Sequence, residues 1–366
     1  MFGTFLLVAC TVLQLYVFWR AASVPLIERH APRILIIGLG VVLWLSFLLS
    51  HVFEHSIGGI LAETLGFIGM TWLAALFLTS VCLLTIEIFT GFGFLLPRMA
   101  PSLRGWALIA GAGLCVIALV QGLRPPVIRD YEVRLAGLPP ERDGLVLVAV
   151  SDLHLGSSLG EQWLAGRVAQ IQAQRPDVVV LLGDIFEGHG PPREGMLSTL
   201  GRISAPLGVW AVNGNHESYG RRPDNPNMLK KSGIEVLSNR WVEVRPGLVL
   251  AGVDDLTRRR RSGQGGDPIG QALKGRPPGA TILLSHTPWQ AETAASVGAG
   301  LMLSGHTHAG QIWPFSYLVW LRYPLLEGRY EVGGMPVIVC RGTGTWGPRM
   351  RLWRPSEILR ITLRSG

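Results

Sequence analysis

Charge is scarce in this chain. Asp, Glu, Lys and Arg make up 16% of its 366 residues against 48% apolar ones, and mean hydropathy is +0.35. An ordinary soluble domain carries about 25% charged residues, so the apolar excess must be localised. Cysteine is also scarce, with four in all. Cys10, Cys82 and Cys115 fall inside apolar runs, which leaves Cys340 alone in the rest of the chain. That excludes an internal disulfide in the polar part and a thiolate-bound structural zinc, while leaving either redox compartment open. The first apolar run has no basic flank and no small-residue cleavage site, so a retained helix is expected rather than a secretory leader. The LVAC at 7–10 has the outline of a lipoprotein box, but no Lys or Arg precedes it. No nucleic-acid-binding motif is present, and no nucleic-acid partner is expected. The net charge of +8, nearly all from arginine, is read instead as contact with anionic headgroups or a phosphorylated substrate.

The apolar excess lies in four runs, at about 3–19, 34–53, 65–86 and 106–123. Each approaches the roughly 20 residues that a helix needs to cross a bilayer core, and together they predict a domain of four transmembrane helices over 1–123. From Arg124 the texture changes. RPPVIRDYEVRLAGLPPERD (124–143) reads as a linker, and 144–366 as a soluble domain long enough to bury a core. Between the first two runs lie Arg20, Arg29 and Arg33, between the last two Arg98 and Arg104, and between the second and third no basic residue. The positive-inside rule then predicts a multi-pass protein of a plasma or inner membrane with its soluble domain on the extracytoplasmic side. Four arginines just after the fourth run (Arg124, Arg129, Arg134, Arg142) pull the other way.

In the soluble domain, short buried-type strands alternate with helical stretches. Strands are expected at 145–151, 177–183, 207–214, 234–237, 241–245, 248–253, 280–286, 300–305, 335–342 and 357–363. Helices are expected at 161–174, 193–203, 225–233 and after Pro288. The pattern predicts an α/β core covered by helices. The polar residues that could bind metal fall at the ends of predicted strands: Asp152 and His154, Asp184, Asn215 and His216, His286, and His306 and His308. The carboxyl edge of strands is where α/β sites form, so these eight are expected to converge. In Asp152-Leu153-His154 an extended stretch turns both side chains to one side. Asp184 follows a glycine that permits close backbone approach, and it is the natural carboxylate to bridge two divalent ions. Each motif alone is weak; their joint occurrence in order at strand ends is specific.

SDLHLG (151–156), LLGDIFEG (181–188), NGNHESYG (213–220), LLSHTP (283–288) and SGHTHAGQ (304–311) together resemble the calcineurin-like metallophosphoesterases, and the likeness covers 145–363. GHTHAGQ followed by an aromatic-Pro-Phe segment, and RGTGTWGPRMRLWRPSEI (341–358), are similar to the family's membrane-linked branch. The resemblance implies a four-layer α/β/β/α sandwich with two divalent ions, manganese, iron or zinc. It implies that Asp152, His154, Asp184 and His308 hold one ion, and that Asp184, Asn215, His286 and His306 hold the other. Hydroxide formed from the water between the ions would be the nucleophile, and His216 would protonate the leaving oxygen.

Other features have plainer readings. His51-Val52-Phe53-Glu54-His55 is formally an inverted zincin motif, but it sits in a short loop with no surrounding fold to complete it. Glu87 is expected at the interface end of its span. Arg258 to Arg261 form either a solvated loop or a surface for phosphate or anionic lipid, with Arg258 and Arg259 as candidate contacts. Glu187 and His189 follow Asp184 closely and are candidates for the substrate's neighbourhood. In QIWPFSYLVWLRYPLL (311–326), Trp313, Phe315, Tyr317, Trp320, Arg322 and Tyr323 have the character of interfacial anchors. Trp313, Phe315 and Trp320 are therefore candidate membrane or substrate contacts. The expected activity is membrane-anchored phosphoester hydrolysis on a lipid-linked substrate. Alternatives are hydrolysis of a soluble phosphomonoester or nucleotide, with the helices only as anchor, and a membrane sensor or transporter regulated by the soluble domain.

Overall fold

In the computed structural model the described residues are 2–53, 60–156, 158–187, 194–218 and 225–366. The motif residues Glu54 and His55, and also His189, lie outside them. The chain divides into two units, the first formed by Met1–Leu123 with Gly347–Leu352 and the second by Arg124–Trp346 with Trp353–Gly366.

The first unit consists of helices Phe2–Ala21, Pro25–His30, Arg33–Phe53, Ile60–Phe89 and Ala100–Leu123. Gly3–Ala21, Thr64–Phe89 and Ala100–Leu123 are long and apolar enough to cross a membrane, and Arg33–Leu49 is apolar over a shorter stretch. Cys10, Phe47, Leu76 and Leu83 pack between the helices, while Leu15, Ile34, Trp106 and Ile109 stay exposed. Helices with apolar side chains both inside and out suit a hydrocarbon surround. Glu87, expected at an interface, is fully buried. It accepts hydrogen bonds from Arg104 Nε at 2.6 Å and Nη2 at 3.2 Å, and it pairs with Arg20 at 3.1 Å. Two cations around one buried carboxylate compensate its negative charge. The segment Gly347–Leu352 joins this unit through the Arg351 N–H, which donates to the Ala118 carbonyl at 2.9 Å.

The second unit contains twelve strands among its described residues, numbered in chain order. They are β1 (Val127–Leu135), β2 (Val146–Val150), β3 (Val178–Leu181), β4 (Val209–Ala211), β5 (Ile234–Val236), β6 (Arg240–Arg245), β7 (Leu248–Gly252), β8 (Ala280–Leu284), β9 (Leu301–Ser304), β10 (Gly328–Val332), β11 (Met335–Val339) and β12 (Glu357–Ser365). One sheet runs β1-β12-β2-β3-β4-β5 and the other β10-β11-β9-β8-β7-β6. In the first, β2 to β5 are parallel, and β12 lies antiparallel to β2. In the second, β7, β8, β9 and β11 are parallel, with β6 and β10 antiparallel at the edges. The stretch 124–143, expected as a linker, carries β1, which pairs in parallel with β12 along its whole length.

Strand alternation sorts the apolar residues into layers. Leu147 and Ala149 of β2 join Leu250, Ile282 and Leu303 of the other sheet in a core between the sheets. Val148 and Val150 face the opposite way, against Leu164, Val168 and Ile171 of helix Glu161–Ala173. Leu283, Met302 and Val337 of the second sheet pack against Ile269 and Leu273 of helix Pro268–Leu273 and Ala294 of helix Ala291–Ser296. The result is the expected α/β/β/α order of layers. It brings the carboxyl ends of the parallel strands of both sheets to one edge.

Candidate metal centre

Each candidate ligand leaves the carboxyl end of a parallel strand: Asp152 and His154 after β2, Asp184 after β3, Asn215 after β4, His286 after β8, and His306 and His308 after β9. All are buried except His306, which is partly buried. Asp152, His154, Asp184, His306 and His308 have φ between 46° and 71°, a region that non-glycine residues seldom occupy. Each such residue costs about 1–3 kcal/mol, and clusters of them mark functional sites. The geometry also depends on Gly183, whose φ is 90°. A Cβ there would stand 2.7 Å from both the Gly214 nitrogen and His286 Nδ1, so only glycine lets these loops close up.

Asp184 Oδ2 is shared by the two halves of the site. It lies 3.8 Å from His154 Nε2 on one side and 3.2 Å from His286 Nε2 on the other. On the first side, His308 Nε2 is 3.3 Å from Asp152 Oδ1 and 3.0 Å from His154 Nε2. On the second side, His286 Nε2 is 3.2 Å from both Asn215 Oδ1 and His306 Nδ1. Three groups could hold a metal ion among the described residues: Asp152, His154 and His308; Asp184, His286 and His306; and His154, Asp184 and His216.

The donor chemistry fits two cations. Buried carboxylates and imidazole nitrogens turned on one another require positive charge between them. His286 Nδ1 donates to the Leu182 carbonyl at 2.7 Å, which fixes the ring and aims Nε2 at Asp184. Burial pushes Asp184 up, yet the facing His286 and His216 imidazoles hold it well below the ordinary carboxylate range. Burial likewise raises Asp152, and His308 outweighs it, so that Asp152 also lies low. Burial depresses His286, but Asp184 and Asp152 drive it well above its ordinary value; carboxylates that hold a proton there would equally hold a metal ion. His306 is pushed down to about 3 by its burial and by His286 beside it, which keeps its ring neutral and able to ligate.

Several supporting residues carried no clear signal in the sequence. Glu217 is buried, and its carboxylate accepts from the backbone N–H groups of Asp184 (3.0 Å), Ile185 (2.7 Å), Phe186 (3.1 Å) and Gly214 (2.7 Å), tying the β3 and β4 loops together. Its pKa is pushed up to about 7 by burial and by the Asp184 charge. An acid placed directly after two candidate ligands was the available clue. The Ser151 hydroxyl donates to Asp152 Oδ2. Glu187, which the sequence did offer as a candidate near the substrate, accepts from His154 Nδ1 at 2.8 Å through Oε2, so it orients a candidate ligand.

Tyr323, expected as an interfacial anchor, instead turns inward, its hydroxyl 2.8 Å from His306 Nε2. Trp313 is half-buried, with its ring centroid 5.0 Å from that of Trp353. Phe315 and Trp320, on helix Phe315–Arg322, are 40% and 52% exposed. Arg258 and Arg259 lie on helix Leu256–Arg261 rather than in a loop, with Asp255 capping its start.

The Calcineurin-like phosphoesterase family model matches residues 145–310, the segment that holds every candidate ligand. An uncharacterized metallophosphoesterase of Aquifex aeolicus is 31% identical over 240 residues, covering 65% of this chain and 91% of that one. The chain belongs to the calcineurin-like metallophosphoesterases. Among its relatives in that family, a transmembrane protein with metallophosphoesterase domain from Danio rerio is 37% identical over 271 residues. That match covers 70% of this chain and 62% of the relative, so the chain spans less than two thirds of it. A dimetal phosphatase structure from Danio rerio aligns over 55% of this chain and 88% of its own at 16% identity, with a TM-score of 0.36. The apolar helices and the transmembrane-type relatives make this a membrane-associated member of the family.

Proposed function

We propose that the protein is a membrane-anchored, two-metal phosphoesterase that hydrolyses a lipid-linked phosphoester. The observation that carries this reading is the single oxygen, Asp184 Oδ2, placed between two sets of imidazole and oxygen donors. Asp152, His154, His308 and Asp184 would hold one ion, and Asp184, Asn215, His286 and His306 the other. Bound there, manganese, iron or zinc would supply Lewis acidity toward the phosphoryl oxygens and make a water acidic enough to lose its proton near neutral pH.

The chain's own residues do the rest. Glu187 and the Leu182 carbonyl fix the rings of His154 and His286, and Glu217 holds the loops that carry Asp184 and Asn215. His216 Nε2 stands 4.0 Å from Asp184 Oδ2, placed to give a proton to the departing alkoxide. The lipid link is supported by helix Phe315–Arg322, seven residues beyond His308, which exposes Phe315, Tyr317, Leu318, Trp320 and Leu321. An apolar helix face of this kind favours a bilayer surface over water.

Purified full-length protein, reconstituted in turn with manganese, iron and zinc, should hydrolyse p-nitrophenyl phosphate or its diester, and EDTA should stop it. Asp184→Asn should lose metal by elemental analysis and nearly all turnover, because a neutral amide bridges two cations poorly. Full metal content with normal turnover in that variant would refute the two-metal reading.

A further inference from the structure

Beside the metal centre, helix Leu256–Arg261 and the end of helix Phe315–Arg322 approach one another across Trp289, enclosing a cavity of about 400 Å³. Arg259, Arg260, Gln264, Trp289 and Arg322 line it. The Arg322 guanidinium lies 4.5 Å from the Trp289 ring centroid and that of Arg260 5.5 Å away, so cation–π contacts hold both on the cavity wall.

The nearby carboxylates are committed elsewhere. Asp255 Oδ1 accepts from the Arg258 N–H and its Oδ2 from the Thr287 hydroxyl, and Asp267 Oδ1 accepts from the Gly270 N–H. Among the described residues, no carboxylate forms an ion pair with Arg259, Arg260 or Arg322, and Arg259 spends one N–H on the Gly265 carbonyl. Three like charges converging on one cavity repel each other, and a multiply charged anion relieves that repulsion. Guanidinium forks match phosphate oxygens in geometry as well as charge. The cavity also connects to the chemistry. Trp289 stacks on Tyr323 at 5.4 Å and 18°, and the Tyr323 hydroxyl meets His306 Nε2 at 2.8 Å.

We infer that this cavity receives a second phosphate group of the molecule whose phosphoester is cleaved, so that the substrate class is a bisphosphorylated compound rather than a simple monoester. The inference rests on the phosphoesterase reading above. Free inorganic phosphate has the same recognition chemistry and is the rival occupant.

The test compares an alkyl monophosphate with alkanediol bisphosphates of matched length, using metal-loaded full-length protein. Wild type should favour a bisphosphate in kcat/KM by about 10- to 100-fold, the scale of one or two charge-assisted hydrogen bonds. In the Arg260→Ala, Arg322→Ala double variant the ratio should fall to about one. Substituting Lys at both positions should keep part of the preference. Arg245→Ala, which removes an exposed arginine of β6, should keep it all. A parallel arm titrates metal-stripped wild type and double variant with inorganic phosphate by calorimetry. Phosphate binding that depends on the two arginines, with no preference for bisphosphate, would assign the cavity to free phosphate and overturn the inference. A preference that survives the double variant would overturn it too. Monophosphate hydrolysis without any preference defeats this inference alone, whereas no hydrolysis of any ester by wild type defeats the phosphoesterase reading with it.

Discussion

At His216 the fold turns Nδ1 toward Glu187, 3.4 Å from its carbonyl and 3.6 Å from Oε1, and leaves Nε2 at 4.0 Å from Asp184 Oδ2. The other imidazoles near Asp184 crowd closer, His286 Nε2 at 3.2 Å and His154 Nε2 at 3.8 Å. The ring of His216 packs edge-on against that of His154, with centroids 4.7 Å apart. Proton donation is the role proposed for His216, and its membership of a possible metal-binding group makes ligation the rival role. His216→Ala should retain both metal equivalents while turnover falls by about 10²–10⁴, the usual scale for general acid–base catalysis. The loss should shrink for p-nitrophenyl esters, whose leaving group needs little protonation. Loss of one metal equivalent in the variant would make His216 a ligand.

Helix Phe315–Arg322 poses the question at the scale of an element. Buried core aromatics cost about 3–5 kcal/mol each on truncation, but Phe315 and Trp320 are 40% and 52% exposed. Phe315→Ser with Trp320→Ser should therefore leave the melting temperature and the hydrolysis of p-nitrophenyl phosphate nearly unchanged. Hydrolysis of a phosphoester embedded in vesicles should fall by about tenfold or more, since insertion of each large apolar side chain contributes about 1.5–3 kcal/mol. Equal loss on both substrates with a lower melting temperature would return these side chains to a structural role.

The same scale explains what the sequence disclosed. β2, β3, β8 and β9 are buried on both faces and read as mainly apolar runs, so the carboxyl edge and its candidate ligands were legible. β1 was not, because VIRDYEVRL is mostly exposed and its charges imitate a linker; its pairing with β12, more than two hundred residues away, leaves no local trace. β10 was missed for a similar reason, being a short edge strand with no fully buried residue. Tyr323 looked like its aromatic neighbours. Only the chain's turn after Arg322, which carries the ring onto His306, separates it from them.

For the whole molecule, we propose one orientation, argued from the helical unit. Arg20 at the end of the first helix, Glu87 near the end of Ile60–Phe89 and Arg104 near the start of Ala100–Leu123 meet in one ion cluster. Val24 lies beside the backbone of Gly105. The connections after the first and fourth helices therefore share one end of the bundle, and they are the arginine-bearing connections of the sequence. Leu123 is nineteen residues beyond Arg104, a helix length of about 28 Å at 1.5 Å per residue. Leu123 thus lies toward the opposite end of the bundle. If basic connections stay in the cytoplasm, the phosphoesterase unit that follows is extracytoplasmic. Glu87 offsets one of the two charges of Arg20 and Arg104, so the cluster adds one positive charge to those of Arg29, Arg33 and Arg98 against the four arginines that follow Leu123. Glu141→Cys places a thiol in an exposed turn of the phosphoesterase unit, while native Cys10 and Cys340 are buried. A membrane-impermeant maleimide should label this variant in intact cells. Labelling only after permeabilisation would reverse the orientation and restrict the substrate to phosphoesters of the cytoplasmic leaflet.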